Sequence, residues 1–311
     1  MTVAFVFPGQ GSQSVGMQEN LAAEYPIVRE TFEEASDALG FDMHALVKYG
    51  PREALDETVN TQPAMLTAGI ATWRAWQQAG GVMPAMMAGH SLGEYSALVA
   101  SGALPFHDTV ALVRKRAELM QGAVPAGEGA MAAIIGLDDE AIIEACQAAS
   151  KAGVAEAANF NTPGQVVVAG DRPGIEKLIE LAKAAGARRA MMLAVSVPAH
   201  SSLMRSAGET LAALIQESSF TDPAITVISS VDGTAYAGAE DMRARMQAQV
   251  YSPVRWVDVI NHMQDSGVDS IIECGPGKVL AGLVRRIDRS ISTSCIDSAY
   301  ALQTEMNGAS E

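Results

Sequence analysis

One pentapeptide in the chain has the residue types of a nucleophile on a sharp turn. Gly89-His90-Ser91-Leu92-Gly93 is a G-x-S-x-G between a short apolar run at 84–88 and a helical pattern at 92–101. Glycines let a backbone turn tightly, so that a serine hydroxyl projects beyond the end of a strand. The next N–H, that of Leu92, would point at the same spot from the start of the helix. A serine at its ordinary pKa is inert and needs a base. The chain has five histidines: His44, His90, His107, His200 and His262. His90 adjoins Ser91, and its ring is expected to point away from that hydroxyl. His44 and His262 fall in helical patterns beside polar residues, and surface positions are expected for both. His107 precedes Asp108 at a helix start, a capping or surface position. His200 follows a long strand pattern and Pro198-Ala199, and it precedes Ser201-Ser202 at a helix start. Catalytic residues collect at strand ends in α/β sheets, and a nearby helix N-terminus would keep the imidazole neutral, as a base requires. His200 is the candidate base.

Two further features bear on the chemistry. After the apolar run at 3–7 comes Pro8-Gly9-Gln10-Gly11-Ser12-Gln13. A dinucleotide-binding G-x-G-x-x-G would need glycine at 14, where Ser14 stands. Gly275-Pro276-Gly277-Lys278 likewise fails as a phosphate loop, because Ile272 stands where glycine is required. Two readings of the first loop stay open: an oxyanion loop giving a second N–H beside that of Leu92, or a plain tight turn. Arg116 lies in the most apolar sector of a helix at 109–121, with Leu112, Leu119 and Met120 at helical spacing. Such an arginine must snorkel to water, pair with a core carboxylate, or hold a substrate carboxylate bidentately.

The elements that must position these residues read as follows. Short apolar strands alternate with helical patterns at 19–39, 63–78, 92–101 and 109–121, an α/β rhythm with a parallel sheet. The rhythm then changes. Strand, helix, strand, strand, helix, strand follow over 130–197, the ferredoxin-like βαββαβ order. This segment reads as a small domain inserted into a larger one, with hinges around 122–129 and 197–198. Helical patterns at 202–216, 240–249, 254–264 and 277–286 and strands at 225–229 and 270–273 complete the large domain. The polar tail at 298–311 is expected to fray.

Composition narrows the function classes. The 311 residues are 49% hydrophobic, and a net charge of −15 is a poor match to non-specific nucleic-acid binding. Cys146, Cys274 and Cys295 are far apart and form no CxxC pair, so neither a disulfide framework nor a zinc site is expected, and a reducing cytoplasm fits best. The N-terminal apolar run lacks a basic flank and stops at Pro8-Gly9, so a signal peptide is not expected there. No stretch reaches eighteen consecutive apolar residues, so no membrane span is expected.

Taken with Asn159-Phe160-Asn161, Tyr251-Ser252-Pro253-Val254, Glu273-Cys274-Gly275-Pro276-Gly277 and Glu94, these motifs occur in one order over nearly the whole chain. The chain resembles the malonyl-CoA:acyl carrier protein transacylases of bacterial fatty-acid synthesis and the acyltransferase domains of polyketide synthases. The resemblance implies an α/β-hydrolase-like domain at 1–125 and 198–297 with a ferredoxin-like insertion at 126–197. It implies Ser91 as nucleophile, His200 as base, Gln10 and Leu92 as oxyanion-hole N–H donors, and Arg116 on the malonyl carboxylate. A backbone carbonyl at Gln249 replaces the acidic triad member. Ala199 departs from the Ser or Phe frequent in relatives of known malonyl preference. The implied reaction is ping-pong, from malonyl-CoA to acyl carrier protein, with no metal or bound cofactor, in a monomer. Since carrier proteins are acidic, a local basic patch must steer them. Arg188-Arg189 and Arg285-Arg286, with Arg289, are candidates, and a merely solvated charge run is the alternative. A hydrolase on the same elbow would have no use for a buried cation in its acyl pocket, and a non-catalytic acyl-binding protein would have no use for the full set.

Overall fold

The computed structural model describes residues 2–195 and 197–308. Its strands in chain order are β1 (Val3–Phe7), β2 (Met86–Gly89), β3 (Gly129–Ile135), β4 (Ala155–Thr162), β5 (Gln165–Asp171), β6 (Arg189–Met192), β7 (Thr226–Ile228), β8 (Ser270–Cys274) and β9 (Ser292–Ile296). β1 is apolar and buried at every position, as a parallel strand covered on both faces must be. It is the middle of a five-stranded sheet ordered β7-β2-β1-β8-β9, with every pairing parallel. Helices cover both faces. On one side the long helix Thr58–Gln78 contributes Leu66, Ile70 and Trp73 to the main core. On the other, Trp256, Ile260 and Met263 of the helix Trp256–Asp265 pack with Leu283 and Val284.

Between the helices Phe106–Gly122 and Arg205–Glu217 the chain builds a second sheet, antiparallel and ordered β4-β5-β3-β6. With the helices Asp139–Ala149 and Arg172–Ala184 this is the ferredoxin-like arrangement. Those helices cover one face through Ile142, Cys146, Ile175 and Leu178. The other face, with Met131, Ala158 and Val167, turns toward the large domain and packs against Leu193 and Ala199. Backbone bonds stitch the domains together: Val254 N–H donates to the Ala158 carbonyl at 2.8 Å, and Phe160 N–H to the Val254 carbonyl at 2.9 Å.

Several elements differ from the sequence reading. The helical pattern at 19–39 is two helices, Glu19–Glu24 and Pro26–Leu39, because Pro26 cannot continue the first and instead opens the second. Two short helices, Met43–Tyr49 and Arg52–Asp56, fill a stretch too brief to carry a period. The edge strand β9 is mostly polar, since an edge needs backbone pairing on one side only. The expected frayed tail at 298–311 is overturned by a helix, Ala299–Gly308. Ala299 and Leu302 are buried in the main core, and Ala299 N–H donates to Asn20 Oδ1 at 3.0 Å. The last strand of the expected 130–197 order, read from Arg189 to Val197, ends at Met192. Ser196, within that expected strand, and residues 309–311 lie outside the described residues.

Candidate active site

The cleft between the two domains opens over the C-terminal ends of β1 and β2. Phe7 pairs with Gly89, so the loops that leave these neighbouring strands start side by side. The β2 loop is the elbow. Ser91 has φ 52°, the left-handed region that a non-glycine residue seldom adopts. The turn tightens around it, with Gly93 N–H donating to the His90 carbonyl at 2.9 Å. Both flanking glycines are required by space, because a Cβ on Gly89 would overlap the Gly93 backbone and one on Gly93 would overlap the Phe7 carbonyl. His90 turns away from Ser91 and meets Asn161 Oδ1 at 2.8 Å beside Trp256.

His200 reaches the same point from the chain's return out of the small domain. Its Nε2 lies 2.7 Å from Ser91 Oγ. Its Nδ1 lies 3.0 Å from the carbonyl oxygens of both Gln249 and Ser252. Carbonyls only accept, so Nδ1 carries the proton and the Nε2 lone pair faces the serine hydroxyl. The ring is buried, and burial first, then the nearby Arg116 charge, pull its pKa down to about 3. Burial thus adds to the expected cause of neutrality. A three-residue turn, Ser202–Met204, leads straight into the helix Arg205–Glu217, and desolvation is the first cause that holds the proton off. His200 also has φ 65°. The other histidines stay away from the serine: His44 is half-buried beside Glu19, His107 is exposed beside Asp108, and His262 closes the helix Trp256–Asp265.

The first loop and the elbow line the same cleft, and among the described residues the N–H groups of Gln10 and Leu92 donate to no protein acceptor. Arg116, from the helix Phe106–Gly122, also lines it, yet the residue is only 1% exposed. It does not snorkel. Its two terminal nitrogens donate to neutral amide oxygens, to Gln62 Oε1 at 2.6 Å and to Gln249 Oε1 at 3.0 Å, and Nε is buried without a partner. The guanidinium lies over the Tyr95 ring at 5.5 Å. The buried Glu94 carboxylate bonds Gln249 rather than Arg116 and supports the cation only at a distance, so the guanidinium, bonded to neutral amides, can receive an anion in the cleft.

Comparison with known proteins gives the same picture. The acyl transferase domain family matches residues 4–301. The chain belongs to the acyl transferase domain family. A malonyl CoA-acyl carrier protein transacylase of Salmonella typhimurium is 50% identical over 303 residues, 97% of this chain and 98% of the relative. A solved acyl carrier protein S-malonyltransferase of Vibrio cholerae superposes with a TM-score of 0.96 at 49% identity, covering 98% and 99% of the two chains. A malonyl-transacylase solved with its type II polyketide synthase acyl-carrier protein superposes at 0.98, with 46% identity and 99% and 100% coverage.

In this acyl transferase domain Ser91, His200, Gln10, Leu92 and Arg116 line one cleft, and Gln249 sits buried behind it, bonded to His200 and Arg116. The docking candidates Arg188, Arg189, Arg285, Arg286 and Arg289 do not line it. Arg188 and Arg189 are exposed at the outer edge of the small sheet. Arg285 is bonded to Thr293, and Arg286 reaches Gln165 Oε1 at 3.0 Å. Three participants escaped the sequence: the Ser252 carbonyl, Gln62, and the side chain of Gln249, which donates to the Ser91 carbonyl at 2.9 Å and to Glu94 at 2.6 Å. Their partners are dozens of residues away, and no local pattern marks them. Among the described residues there is no cluster of side chains that could hold a metal ion.

Proposed function

We propose that this protein transfers a malonyl group from CoA to the phosphopantetheine thiol of acyl carrier protein through a malonyl ester on Ser91. One observation carries the reading. A Ser–His pair at 2.7 Å opens on the same cleft as a buried arginine whose partners are all neutral. The pair supplies acyl transfer, and the arginine selects an acyl group that ends in a carboxylate. The thioester oxygen enters between the Gln10 and Leu92 N–H groups. Ser91 Oγ bonds to the thioester carbon as His200 Nε2 takes the hydroxyl proton, and the Gln249 and Ser252 carbonyls steady the imidazolium through Nδ1–H. The tetrahedral intermediate collapses, the C–S bond breaks, and His200 returns the proton to the CoA sulfur. The carrier's thiol then gives its proton to His200, attacks the serine ester, and releases Ser91 with its proton restored.

The carrier docks, on this reading, against exposed basic side chains outside the cleft. Arg285 and Arg286 follow Leu280 and Leu283, two cleft-lining residues, on the helix Val279–Ile287, and Arg188 and Arg189 lead into Leu193 and Val195, which also line it. No resident metal or organic cofactor enters these steps, and the reading takes the protein as a cytoplasmic monomer. Among the described residues no helix is long and apolar enough to cross a membrane. The test is loading with radiolabelled malonyl-CoA followed by denaturing gel electrophoresis. Wild type should carry the label covalently, and Ser91→Ala should fold and carry none. Undiminished labelling of Ser91→Ala overturns the reading.

A further inference from the structure

Behind the cleft lies a carboxylate that no step above uses. Glu94 follows Gly93 on the elbow helix and is fully buried. Four donors converge on it. Ser230 N–H and Tyr236 O–H reach Oε1 at 2.8 and 2.7 Å, while Ser230 Oγ–H and Gln249 Nε2–H both reach Oε2 at 2.6 Å. The Gln249 contact links it to the chemistry. An amide has two faces, and only its NH2 can meet an ionised carboxylate. With Nε2 committed to Glu94 and to the Ser91 carbonyl, Oε1 must face Arg116. The same residue's backbone carbonyl holds His200 Nδ1. One side chain therefore ties the elbow, the base and the arginine, and the Glu94 carboxylate, together with the Ser91 carbonyl, holds it that way round.

We propose that Glu94 is a positioning residue for the transfer: it anchors the Gln249 amide from behind the cleft, and through it the aim of the Arg116 guanidinium and the stance of the Ser91–His200 pair. A glutamine at 94 replaces one acceptor oxygen with an NH2 and weakens the hold on Gln249 Nε2, which keeps the Ser91 carbonyl. Oε1, held less firmly, would then sit less squarely against the guanidinium, and Arg116 would lose part of its anchoring. Glu94 touches no substrate, so its effect appears in the rate and in acyl selectivity rather than in the number of competent sites. This inference rests on the malonyl-transfer reading.

The test is single-turnover loading from radiolabelled malonyl-CoA and acetyl-CoA by wild type, Glu94→Gln and Tyr236→Phe. The amplitude counts folded, competent sites, and the rate reports their chemistry. Glu94→Gln keeps the side chain's shape and should load with near-normal amplitude, about ten- to a hundredfold slower on malonyl-CoA, the scale of a misplaced catalytic group. Its malonyl preference over acetyl should fall with the rate. Tyr236→Phe removes one donor on the side away from Gln249 and should leave rate and preference near wild type. A lower amplitude with unchanged rate and preference would make Glu94 merely structural and overturn the proposal. Equal damage from Tyr236→Phe would overturn it as well. Should Glu94→Gln not fold, Gln249→Met carries the test, since it keeps the backbone carbonyl and leaves Glu94 its other three donors. Normal rate and preference in that variant also refute the proposal. If wild type itself takes no malonyl, the transfer reading fails and this inference falls with it. If wild type loads and Glu94→Gln matches it, only the inference fails.

Discussion

Arg116→Ala separates a carboxylate-selecting transferase from a general acyl hydrolase. A guanidinium has five N–H donors, of which Gln62 and Gln249 take one each. The rest include the unpartnered Nε, so enough remain for a two-point contact with a carboxylate. A hydrogen bond to a charged group contributes about 1.5–3 kcal/mol, and truncating one partner of a buried charge pair costs about 2–5 kcal/mol. Because the two bonds share one ion they do not simply add, and about 2–4 kcal/mol is the working range. At about 1.36 kcal/mol per decade, malonyl-CoA kcat/KM should fall roughly 30- to 900-fold. Acetyl-CoA has no carboxylate to lose and gains a site free of an unpaired cation, so its loading should hold or rise. The assay is parallel loading of radiolabelled malonyl- and acetyl-CoA, with the malonyl-to-acetyl ratio as the readout. Arg116→Lys should restore little of that ratio, because a single ammonium lacks the planar fork that spans two amide oxygens. An unchanged ratio in Arg116→Ala would mean that the arginine only fills the core, and the substrate assignment would lose its physical support.

His200→Ala should slow both half-reactions by at least about a hundredfold, the usual scale for a general base; near-normal turnover, with a large loss in His90→Ala instead, would mean the wrong histidine. Since His200 is held at about 3, mainly by burial and then by Arg116, the acid limb of malonyl loading should lie well below pH 6.5 and move up toward it in Arg116→Ala; a wild-type limb near 6.5 contradicts the buried-base geometry. The same depression has a sign for stability: between the unfolded pKa near 6.5 and the folded value, the unfolded chain binds the extra proton, so stability falls on acidification by up to about 1.4 kcal/mol per pH unit. Chemical denaturation of wild type at pH 7 and pH 5 reads this slope, and equal midpoints would refute it.

What the sequence made legible was local or periodic. Gly89-His90-Ser91-Leu92-Gly93 is readable because the turn, the nucleophile and one N–H donor are neighbours in the chain. The small domain is readable because its helices and strands change period within a few residues. His200 stood out among five histidines through its place after an expected strand that ends early, at Met192, and its burial was not legible because the groups around its ring come from distant parts of the chain. Gln249 was legible as a carbonyl through resemblance alone, and its side chain, which bonds Ser91, Glu94 and Arg116, was not legible at all. Amide and carbonyl groups occur at every residue type's own backbone or in common polar side chains, so nothing in their identity announces a partner 155 residues away. β9 and the last helix were missed for a related reason. Their burial is supplied by elements far along the chain, while their own composition is polar or mixed.

Among the described residues three non-glycine positions have positive φ, and two of them are Ser91 and His200. A left-handed L-residue costs about 1–2 kcal/mol relative to glycine. The fold therefore holds backbone strain at both residues of the proposed Ser–His pair, as it does at Gln18. Ser91→Gly should melt at a higher temperature than wild type while loading nothing, and a lower melting point would contradict this. The consequence is evolutionary as much as energetic: selection for persistence and selection for turnover pull in opposite directions at these two codons. A copy of this gene released from the need to transfer acyl groups would find some of its first stabilising substitutions inside the active site itself.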